Sequence, residues 1–362
     1  MLCVTGLHLA GGMASLNRTI SAVFDREMVG ERIRRLDHVL LHADTKTANK
    51  DDTRGSVRVA GGNKLRFVSD AWRLARRHRH EWTLFDLLGM ARAATLPLPG
   101  FPPGRLAIFT HYIELTLRMT PRHLAALRRA NIILANSHFS AGELKKWKPE
   151  LAQRVRGVPL CIDPARVSEW ESTGLEDRPR EPIVLIVSRL NTAERGKGHN
   201  ALIDAWPGVL AEHPEAKLWI VGDGDDRPRL EHKVEAAGIA AAVRFTGPLD
   251  TAELHEAYSR ASVYAMPSRQ EGFGIVYAEA MWHELPCIGS NADAASEVIA
   301  HDETGLIIDY DDAEATGDAV RRLLGNPDLA RRMGRAGRTR VLAEYTFDAF
   351  ARRLLDALEL RG

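Results

Sequence analysis

The sequence predicts an α/β protein that contains two Rossmann-like domains. The chain has 362 residues, which is about twice the ~150 residues of an ordinary domain. In its C-terminal half, short and continuous apolar runs alternate with helical segments, a pattern typical of parallel sheets that helices cover on both faces. The N-terminal half shows the same alternation less regularly. The composition, 45% hydrophobic and 27% charged, is that of a folded globular protein.

The N-terminal half begins with an apolar strand over residues 2–9, a glycine turn at Gly11 and Gly12, and a helix over residues 17–24. Residues 43–62 are polar and predict a loop or short strands. Further strands are expected at residues 38–42, 105–110 and 131–136, and further helices at residues 71–80, 85–94, 121–129 and 140–147. The N-terminal domain is therefore predicted to span residues 1–165.

A polar linker is predicted over residues 166–182, and the second domain over residues 183–345. Its strands are expected at residues 183–187, 217–221, 243–246, 262–266 and 286–289, and its helices at residues 201–211, 229–237, 251–259 and 276–282. A last helix over residues 346–362 is predicted to pack back on the first domain. Ligands of such parallel sheets bind outside the carboxyl ends of the strands.

The net charge of +1 hides an asymmetry, since residues 1–170 carry about +12 and residues 171–362 about −11. The basic excess is densest at four arginines, Arg73, Arg76, Arg77 and Arg79. These arginines form either a surface for an anionic membrane or acceptor, or a solvated helix face. Because there is neither an aromatic-interleaved RNA motif nor a recognition helix, we expect no nucleic acid partner.

Three observations predict a cytoplasmic protein, with peripheral contact at the inner face of the membrane left open. No apolar run reaches the ~20 residues that span a bilayer. The first residues show neither a basic segment nor the apolar stretch of a secretion signal. The three cysteines, Cys3, Cys161 and Cys287, are odd in number and widely spaced, which fits neither a disulfide framework nor a metal site.

The segment over residues 267–281 carries most of the chemical information. It reads as a strand end, a loop with Glu271 and two glycines, and a helix that carries Glu279. Gly272 and Gly274 permit close approach of the backbone to a ligand, and the helix N-terminus suits a phosphate or a sugar hydroxyl. Carboxylates at this spacing can accept hydrogen bonds from the vicinal hydroxyls of a sugar and a ribose.

These residues resemble the retaining GT-B glycosyltransferases of family GT4, whose mark is a Glu, seven residues and a second Glu. The resemblance covers residues 183–310 and implies the GT-B fold, with two Rossmann-like domains that face an interdomain cleft. It further implies that Glu271 contacts the transferred sugar and that Glu279 holds the ribose. The sugar and phosphate site would be lined by the backbone of four consecutive residues, Gly272, Phe273, Gly274 and Ile275.

Two cations follow the first strand of the second domain. Arg189 is expected at the carboxyl end of that strand, and Lys197 at the start of the next helix. Phosphates bind well at both places, where cations stabilise the growing charge of a leaving diphosphate. The alternative is a pair of solvated surface cations. The resemblance implies that Arg189 and Lys197 bind the donor phosphates.

Three further positions follow from the resemblance. Leu249 ends a stretch that is similar to the segment facing the nucleobase, and Gly12 lies in a loop that is expected to approach the donor phosphates. Residues 109–114 come at the end of a strand and resemble the His-Gly-Ile-Glu segment of one branch of the family, which implies that His111 reaches the cleft near the reacting centre. The alternative for His111 is a satisfied histidine at a strand end.

The pair Asp223 and Asp225 matches the Asp-x-Asp pattern of a metal site. The family has a similar Gly-Asp-Gly turn between a strand and a helix, so we interpret this segment as a turn and expect neither a metal nor another cofactor.

The sequence thus predicts a retaining glycosyltransferase that moves a sugar from a UDP- or GDP-linked donor to a glycan or lipid-linked acceptor. Two alternatives stay open. A GT-B epimerase would isomerise the sugar nucleotide without an acceptor, and an inactive nucleotide-binding module would bind the nucleotide without turnover.

Overall fold

A computed structural model describes residues 1–7, 12–43, 50–51, 53–116, 119–173 and 180–360. They form two compact units, of which unit 1 comprises Met1–Asp163 and Phe347–Gly362, and unit 2 comprises Pro164–Thr346. Each unit contains a parallel sheet with helices on its faces, so the predicted α/β class is confirmed.

Strands and helices alternate along most of the described chain. The strands are β1 (Leu2–Val4), β2 (His38–Leu40), β3 (Lys50–Asp51), β4 (Ser56–Val59), β5 (Trp82–Phe85), β6 (Arg105–Thr110), β7 (Ile132–Ala135), β8 (Val155–Gly157), β9 (Ile183–Val187), β10 (Lys217–Val221), β11 (Val243–Gly247), β12 (Val263–Ala265), β13 (Cys287–Ser290) and β14 (Gly305–Ile308).

The α-helices are α1 (Gly12–Val29), α2 (Lys64–Arg77), α3 (Leu88–Ala91), α4 (Tyr112–Thr116), α5 (Pro121–Arg129), α6 (His138–Trp147), α7 (Pro164–Thr173), α8 (His199–Glu212), α9 (Arg227–Ala236), α10 (Thr251–Arg260), α11 (Ile275–Trp282), α12 (Ala295–Val298), α13 (Ala313–Leu324), α14 (Pro327–Glu344) and α15 (Phe347–Ala357). Six of these α-helices, α2, α5, α6, α10, α13 and α14, begin after a residue whose side chain caps the first turn.

The sheet of unit 1 has the strand order β3-β4-β2-β1-β5-β6-β7-β8. All neighbouring strands are parallel except the edge pair of β3 and β4. Apolar side chains of α2, α5 and α6 pack on one face of this sheet, and those of α1 and α15 on the other. The last helix therefore contributes to the core of unit 1, with Phe350 and Leu354 fully buried.

The sheet of unit 2 is parallel throughout, in the order β11-β10-β9-β12-β13-β14. Strands β9 and β12 are neighbours, although β10 and β11 separate them along the chain. The direction in which successive strands are added reverses between β9 and β12. In open α/β sheets, ligands bind in the crevice at this reversal, outside the carboxyl ends of the two strands.

Three expectations about local structure need correction. Residues 85–94, predicted as a helix, instead contain the end of β5, the short α3 and a 3₁₀ turn over Arg92–Thr95, because the apolar run at residues 82–85 pairs with β1 and β6. The helix predicted at residues 71–80 is α2 and begins earlier, since the Asn63 side chain caps the N–H groups of Leu65 and Arg66. The predicted linker is helical at its start, where α7 buries Trp170.

Candidate functional site

Two loops meet at the reversal point of the second sheet. The first loop, residues 188–198, follows β9, and the second loop, residues 267–274, follows β12. The backbone N–H of Gly196 donates to Oε1 of Gln270 at 3.1 Å, and the N–H of Arg269 donates to the carbonyl of Gly196 at 2.9 Å. A Cβ at Gly198 would lie 2.7 Å from the carbonyl oxygen of Pro267. This close approach explains why residue 198 is a glycine. Together with the two hydrogen bonds, it fixes the position of the first loop relative to the second.

The two loops bring Lys197 and Glu271 into contact. Nζ of Lys197 donates to Oε1 of Glu271, and the side chains are only 11% and 18% exposed. Lys197 lies at the end of a 3₁₀ turn and directly before Gly198, the N-cap of α8. Removing either partner would leave a poorly solvated charge. The structure therefore joins a predicted phosphate ligand and a predicted sugar ligand in one ion pair.

Arg189, the second predicted cation, is in a different environment. It lies at the carboxyl end of β9 with its side chain 72% exposed, and its guanidinium donates to Glu194 Oε1 at 2.5 Å. The guanidinium is largely exposed whereas the Glu194 side chain is only 11% exposed, so the arginine is the accessible member of this pair.

Glu279 lies on α11 and is almost fully buried. Its Oε1 accepts from Nη1 of Arg166 at 2.6 Å, and its Oε2 accepts from the hydroxyl of Tyr258 at 3.2 Å. Arg166 lies on α7, in the segment that sequence analysis interpreted as a linker. The interaction was missed because 113 residues separate the partners and no local pattern connects them.

The second loop has a support that sequence analysis also missed. Oδ2 of the buried Asp293 accepts from the hydroxyl of Ser268 and from the N–H of Glu271, the latter at 2.9 Å. Oδ1 accepts from the N–H of Ala295 at 2.9 Å. Burial raises the pKa of Asp293 to about 6, although these hydrogen bonds favour the charged form. One feature of the sequence could have indicated this role: Asp293 follows directly after β13, at the edge of the sheet where β9 and β12 also end.

The backbone of the second loop turns into α11 at Gly274, which has φ of 82° and caps that helix. Phe273 is buried and packs edge-to-face on Tyr345, with ring centroids 5.4 Å apart. The backbone of Gly272 to Ile275, and not the Phe273 ring, is therefore the part that can face a donor. Unpaired N–H groups at the start of a helix favour a phosphate there.

The remaining predicted positions are spread more widely. Leu249 is half-buried between β11 and α10, at the far edge of the second sheet. Gly12 is the first residue of α1 in unit 1, and Gly11 lies outside the described residues. Leu249 follows β11, which β10 separates from β9 in the sheet, and Gly12 belongs to the other unit. The fold of unit 2 therefore does not join either residue to the Lys197–Glu271 pair.

His111 follows β6 at the carboxyl edge of the first sheet. Its Nε2 lies 3.1 Å from the backbone carbonyl of Asp86, so the proton is assigned to Nε2 and the Nδ1 lone pair is an acceptor. Burial lowers the pKa of His111 to about 4. The imidazole of His111 is therefore neutral at neutral pH. It lies beside the segments that follow β1 and β5, where the N–H of Thr5 and the side-chain amide of Asn17 donate to the Asp86 carboxylate.

Glu114 is a second titratable group at this edge. Its carboxylate accepts from the N–H groups of Leu88, Gly89 and His111 at 3.2–3.3 Å. Burial raises the pKa of Glu114 to about 7 and outweighs the effect of these hydrogen bonds, with a smaller contribution from Asp86. Glu114 therefore titrates near neutral pH, whereas His111 does not.

Replacing Glu114 by glutamine should remove a pH dependence from the stability of unit 1. The pKa of Glu114 is higher in the folded than in the unfolded protein, so the folded state binds its proton more tightly. The stability that this provides is fully present below pH ~4.5 and is lost as the pH rises through ~7. The loss amounts to about 3 kcal/mol of unfolding free energy. The free energy of unfolding of the wild type should therefore fall by about that amount relative to Glu114→Gln between pH 4.5 and 7.5. Chemical denaturation at a series of pH values measures this, and parallel curves for the two proteins would contradict it.

The Asp223–Asp225 segment forms a turn after β10. Asp225 accepts from the N–H and the hydroxyl of Thr192 at 2.7 and 2.9 Å, and Asp223 accepts from the N–H of Gly224 at 2.9 Å. These carboxylates therefore stabilise the turn and the first loop. Within the described ranges, no group of three His, Cys, Asp or Glu side chains is placed to hold a metal ion.

Three arginines of the basic segment, Arg73, Arg76 and Arg77, lie on α2, and Arg79 follows the end of that helix. The apolar face of α2 is buried in unit 1 through Phe67, Ala71 and Leu74, while Arg73 and Leu65 are strongly exposed. None of the helices in the described part of the chain is both long and apolar enough to cross a membrane.

Comparison of the sequence with known proteins identifies the family to which the chain is similar. The profile of the family described as Glycosyl transferases group 1 matches residues 171–340. A GDP-mannose-dependent alpha-(1-6)-phosphatidylinositol monomannoside mannosyltransferase from Mycobacterium tuberculosis is 32% identical over 272 residues, which are 70% of this chain and 69% of the relative. A glycogen synthase from the same organism is 26% identical over 313 residues, which are 82% of this chain and 72% of that protein.

Two solved structures share the fold over nearly the whole chain. A sucrose-phosphate synthase from Thermosynechococcus elongatus has a TM-score of 0.74 at 21% identity, and covers 98% of this chain and 94% of its own. A protein from Anabaena in complex with UDP and glucose has a TM-score of 0.74 at 16% identity, and covers 99% of this chain and 98% of its own.

Proposed function

Because the chain belongs to the group 1 glycosyltransferases, we propose that it transfers mannose from GDP-mannose to a lipid-linked acceptor with retention of the anomeric configuration. The family and the GT-B fold class that the sequence predicted are confirmed, and the protein is an enzyme that transfers a sugar in glycolipid or glycan synthesis. The donor, the acceptor and the stereochemistry belong to the proposal.

The identity of the donor is inferred from the names of related proteins. The mycobacterial relatives and one from Corynebacterium glutamicum are 31–32% identical to this chain, and each is described as a GDP-mannose-dependent mannosyltransferase that acts on a phosphatidylinositol mannoside. The Anabaena structure contains UDP but is only 16% identical, so it supports the fold and not the base. GDP-mannose and a lipid-linked mannoside are therefore the substrates we favour.

The ion pair of Lys197 and Glu271 is the observation that carries the proposal. It sets a largely desolvated cation beside a carboxylate at the reversal point of the sheet, where a donor of this fold class is expected. In the proposed complex, Lys197 and Arg189 neutralise the diphosphate while Glu271 accepts hydrogen bonds from the sugar hydroxyls. The cations then stabilise the charge that develops as the leaving group departs.

The transfer step breaks one bond and forms another. The bond between the anomeric carbon and the diphosphate oxygen breaks, and its electron pair stays on the diphosphate. The acceptor oxygen forms its bond to the anomeric carbon on the same face, and its proton passes to the departing phosphate oxygen. No protein base is required in this scheme, because the departing phosphate takes the proton. Glu271 holds the sugar and Lys197 neutralises the diphosphate.

Glu279 is proposed to hold the ribose of the nucleotide. The contacts from Arg166 and Tyr258 hold its carboxylate in a fixed position within a buried setting. A fixed acceptor loses little conformational entropy when a hydroxyl pair binds. Arg166 is thus a positioning residue for the nucleotide, acting through Glu279.

We further propose that unit 1 contacts an anionic membrane surface through the exposed face of α2, with the chain on the cytoplasmic side. The exposed Arg73, Arg76 and Arg77 and the exposed Leu65 support this, because basic residues near an anionic surface contribute about 1 kcal/mol each. A lipid-linked acceptor would be presented at that surface.

Donor screening with product analysis tests the proposal. GDP-mannose at about 100 times its Kd should stabilise the protein by about 2.7 kcal/mol, whereas UDP-glucose at the same concentration should not. With a lipid-linked mannoside in anionic vesicles, NMR of the product should show an α-linked mannose. A β-linked product would overturn retention, consumption of UDP-glucose alone would overturn the donor, and isomerised donor without acceptor would indicate an epimerase.

The same vesicle assay tests the membrane contact. The double variant Arg73→Glu/Arg76→Glu should lose activity on vesicles but keep it on a detergent-dispersed acceptor. Equal loss on both acceptors would contradict a membrane role for α2.

A further inference from the structure

A third loop, residues 291–294, joins β13 to α12. Strand β13 is parallel to β12 and is its neighbour on the side away from β9. The third loop therefore begins at the carboxyl edge of the sheet, directly beside the second loop. The side chains proposed to hold the donor lie on the first loop, the second loop and α11, and none of them lies on the third loop. The third loop nevertheless holds one of them, Glu271, in place.

Both backbone polar groups of Glu271 are bound by the third loop. The N–H of Glu271 donates to Oδ2 of Asp293 at 2.9 Å, and its carbonyl accepts from the N–H of Ala294 at 3.2 Å. The two peptide units that flank the Cα of Glu271 are thereby fixed, and with them the direction in which the side chain leaves the backbone. Lys197 contacts the carboxylate at the far end of that side chain. Asp293 and Lys197 thus hold the two ends of one residue.

The third loop and the end of β13 also hold Ser268, near the start of the second loop. The hydroxyl of Ser268 donates to Oδ2 of Asp293, and its carbonyl accepts from the hydroxyl of Ser290. Ser268, Ser290 and Asp293 are fully buried. Hydrogen bonds are stronger away from water, and a buried partner left unpaired is costly. The second loop is therefore attached at two points, Ser268 and Glu271, to one buried carboxylate.

The carboxylate of Asp293 can accept from all of these donors because each of its two oxygens has two lone pairs. Oδ2 accepts from Ser268 and Glu271, and Oδ1 accepts from the N–H of Ala295 at 2.9 Å. Burial raises the pKa of Asp293 to about 6, so the group is mostly ionised at pH 7.5. Hydrogen bonds to an ionised acceptor are roughly twice as strong as those between neutral groups. A neutral side chain of the same size would therefore not replace this acceptor.

We propose that Asp293 is a positioning residue for sugar transfer. Through the N–H of Glu271, it orients the carboxylate that accepts hydrogen bonds from the transferred sugar, before the donor binds. This role rests on the one proposed for Glu271, and it includes no contact between Asp293 and the donor. Misplacement of a group by about 1 Å can slow a reaction about 10²-fold. Asp293 then affects the rate of transfer and not only the stability of the loop.

Asparagine at position 293 tests this role with little change in volume. Its amide has one acceptor oxygen, and its nitrogen can only donate. Of the three groups that the Asp293 carboxylate binds, only the Ser268 hydroxyl can accept as well as donate. The amide nitrogen is therefore expected in the place of Oδ2, where it donates to Ser268 and faces the N–H of Glu271. Asp293→Asn thus removes the bond to Glu271 and retains those to Ser268 and Ala295.

Steady-state kinetics with GDP-mannose measure the effect. Asp293→Asn should lower kcat by about 10–10²-fold, because the Glu271 carboxylate is no longer directed at the sugar. The inhibition constant of GDP should not rise, since GDP lacks the sugar and its proposed ligands, Arg189, Lys197 and Glu279, are unchanged. A general loss of structure in the site would weaken GDP binding as well. Weaker GDP binding in Asp293→Asn would therefore overturn the positioning role.

Two further variants separate the contacts of the third loop. Ser268→Ala removes the Ser268 hydroxyl but leaves the bond between the Glu271 N–H and the carboxylate, so it should lower kcat clearly less than Asp293→Asn does. Asn291→Ala is the matched control from the same loop, because the exposed Asn291 side chain donates to Asp309, and it should leave kcat unchanged. Equal losses in Ser268→Ala and Asp293→Asn would overturn the assignment to the Glu271 N–H.

Hydrogen exchange tests the contact without any donor. The peptide over residues 267–274 should exchange faster in Asp293→Asn than in the wild type, because the N–H of Glu271 has lost its acceptor. The peptide over β10, residues 217–221, should exchange as in the wild type. Unchanged exchange over residues 267–274 would overturn the role of Asp293 whatever the activity.

Glu271→Gln in the same kinetic assay distinguishes failure of this role from failure of the proposed function. If Glu271→Gln lowers kcat and Asp293→Asn does not, the role of Asp293 is overturned and the proposed function stands. If neither variant lowers kcat, both are overturned.

Discussion

Replacing Lys197 by alanine should lower kcat/KM for sugar transfer by about 10²–10³-fold, as removal of one preorganised donor to a developing negative charge does elsewhere. Lys197 is largely buried and is held by Glu271 next to the N-cap of α8. It is therefore ordered before the donor binds. Its loss also leaves the Glu271 carboxylate without its partner, so a donor diphosphate would be repelled as well as unsupported.

Steady-state kinetics with matched variants measure this effect. Lys217→Ala is the control, because Lys217 is an exposed lysine at the amino end of β10 whose ammonium donates only to the carbonyl of Ala241 in the described structure. It should change kcat/KM by less than about twofold. Lys197→Ala should lower kcat more than it raises KM, since the charge it stabilises is greatest in the transition state. A rise in KM alone would show that Lys197 only binds the ground state.

The pair can also be examined by a double-mutant cycle. Lys197→Ala and Glu271→Gln should show strongly non-additive losses of kcat/KM, because each single change leaves the other partner as a poorly solvated charge. Additive losses would mean that Lys197 and Glu271 act separately, and would contradict a shared role in holding the donor.

Much of unit 2 could be predicted because its local signals agree. Most strands from β9 to β13 are short, largely apolar runs, and each is followed by a helix; β11, which contains Arg244 and Thr246, departs from the apolar pattern. The loops at the strand ends could therefore be located, and with them Lys197 and Glu271. Their contact follows from the adjacency of β9 and β12, a property of strand order.

The residues that were missed depend on tertiary structure. The Arg166–Glu279 pair and the Asp293 support of the second loop join residues 113 and 22 positions apart. Strand β5 was not predicted, and only its last residue, Phe85, was assigned to an element, the helix over residues 85–94, because Phe85, Leu87 and Leu88 viewed alone fit either a strand or a helix. Its pairing with β1 and β6 decides the matter, and no local pattern expresses that pairing.

Replacing Gly274 by alanine should destabilise unit 2 by about 2–5 kcal/mol, from left-handed backbone strain of about 1–2 kcal/mol and overpacking of about 1–3 kcal/mol. Gly274 has φ of 82°, and a Cβ there would lie 2.4 Å from Cδ2 of Tyr277. The Tyr277 ring cannot withdraw easily, because it is fully buried and its hydroxyl donates to the carbonyl of Met266 at 2.5 Å.

A second glycine separates the two contributions. Gly238 has φ of 70°, but a Cβ there would meet nothing within 4 Å. Gly238→Ala should therefore cost only the backbone strain, about 1–2 kcal/mol, and lower the melting temperature of unit 2 by roughly 2–8 °C in calorimetry. Gly274→Ala should lower it clearly further, and equal shifts would contradict the predicted clash with Tyr277.

The two variants should differ more in donor binding than in stability. Gly274 joins the second loop, which carries Glu271, to α11, which carries Glu279, so a displaced turn would move both carboxylates relative to each other. Gly238 follows α9, remote in sequence from both. Folded Gly274→Ala protein, studied below its melting temperature, should therefore bind GDP-mannose at least tenfold more weakly, whereas Gly238→Ala should bind it as the wild type does. Wild-type affinity in both variants would show that the geometry between the two carboxylates does not depend on this turn.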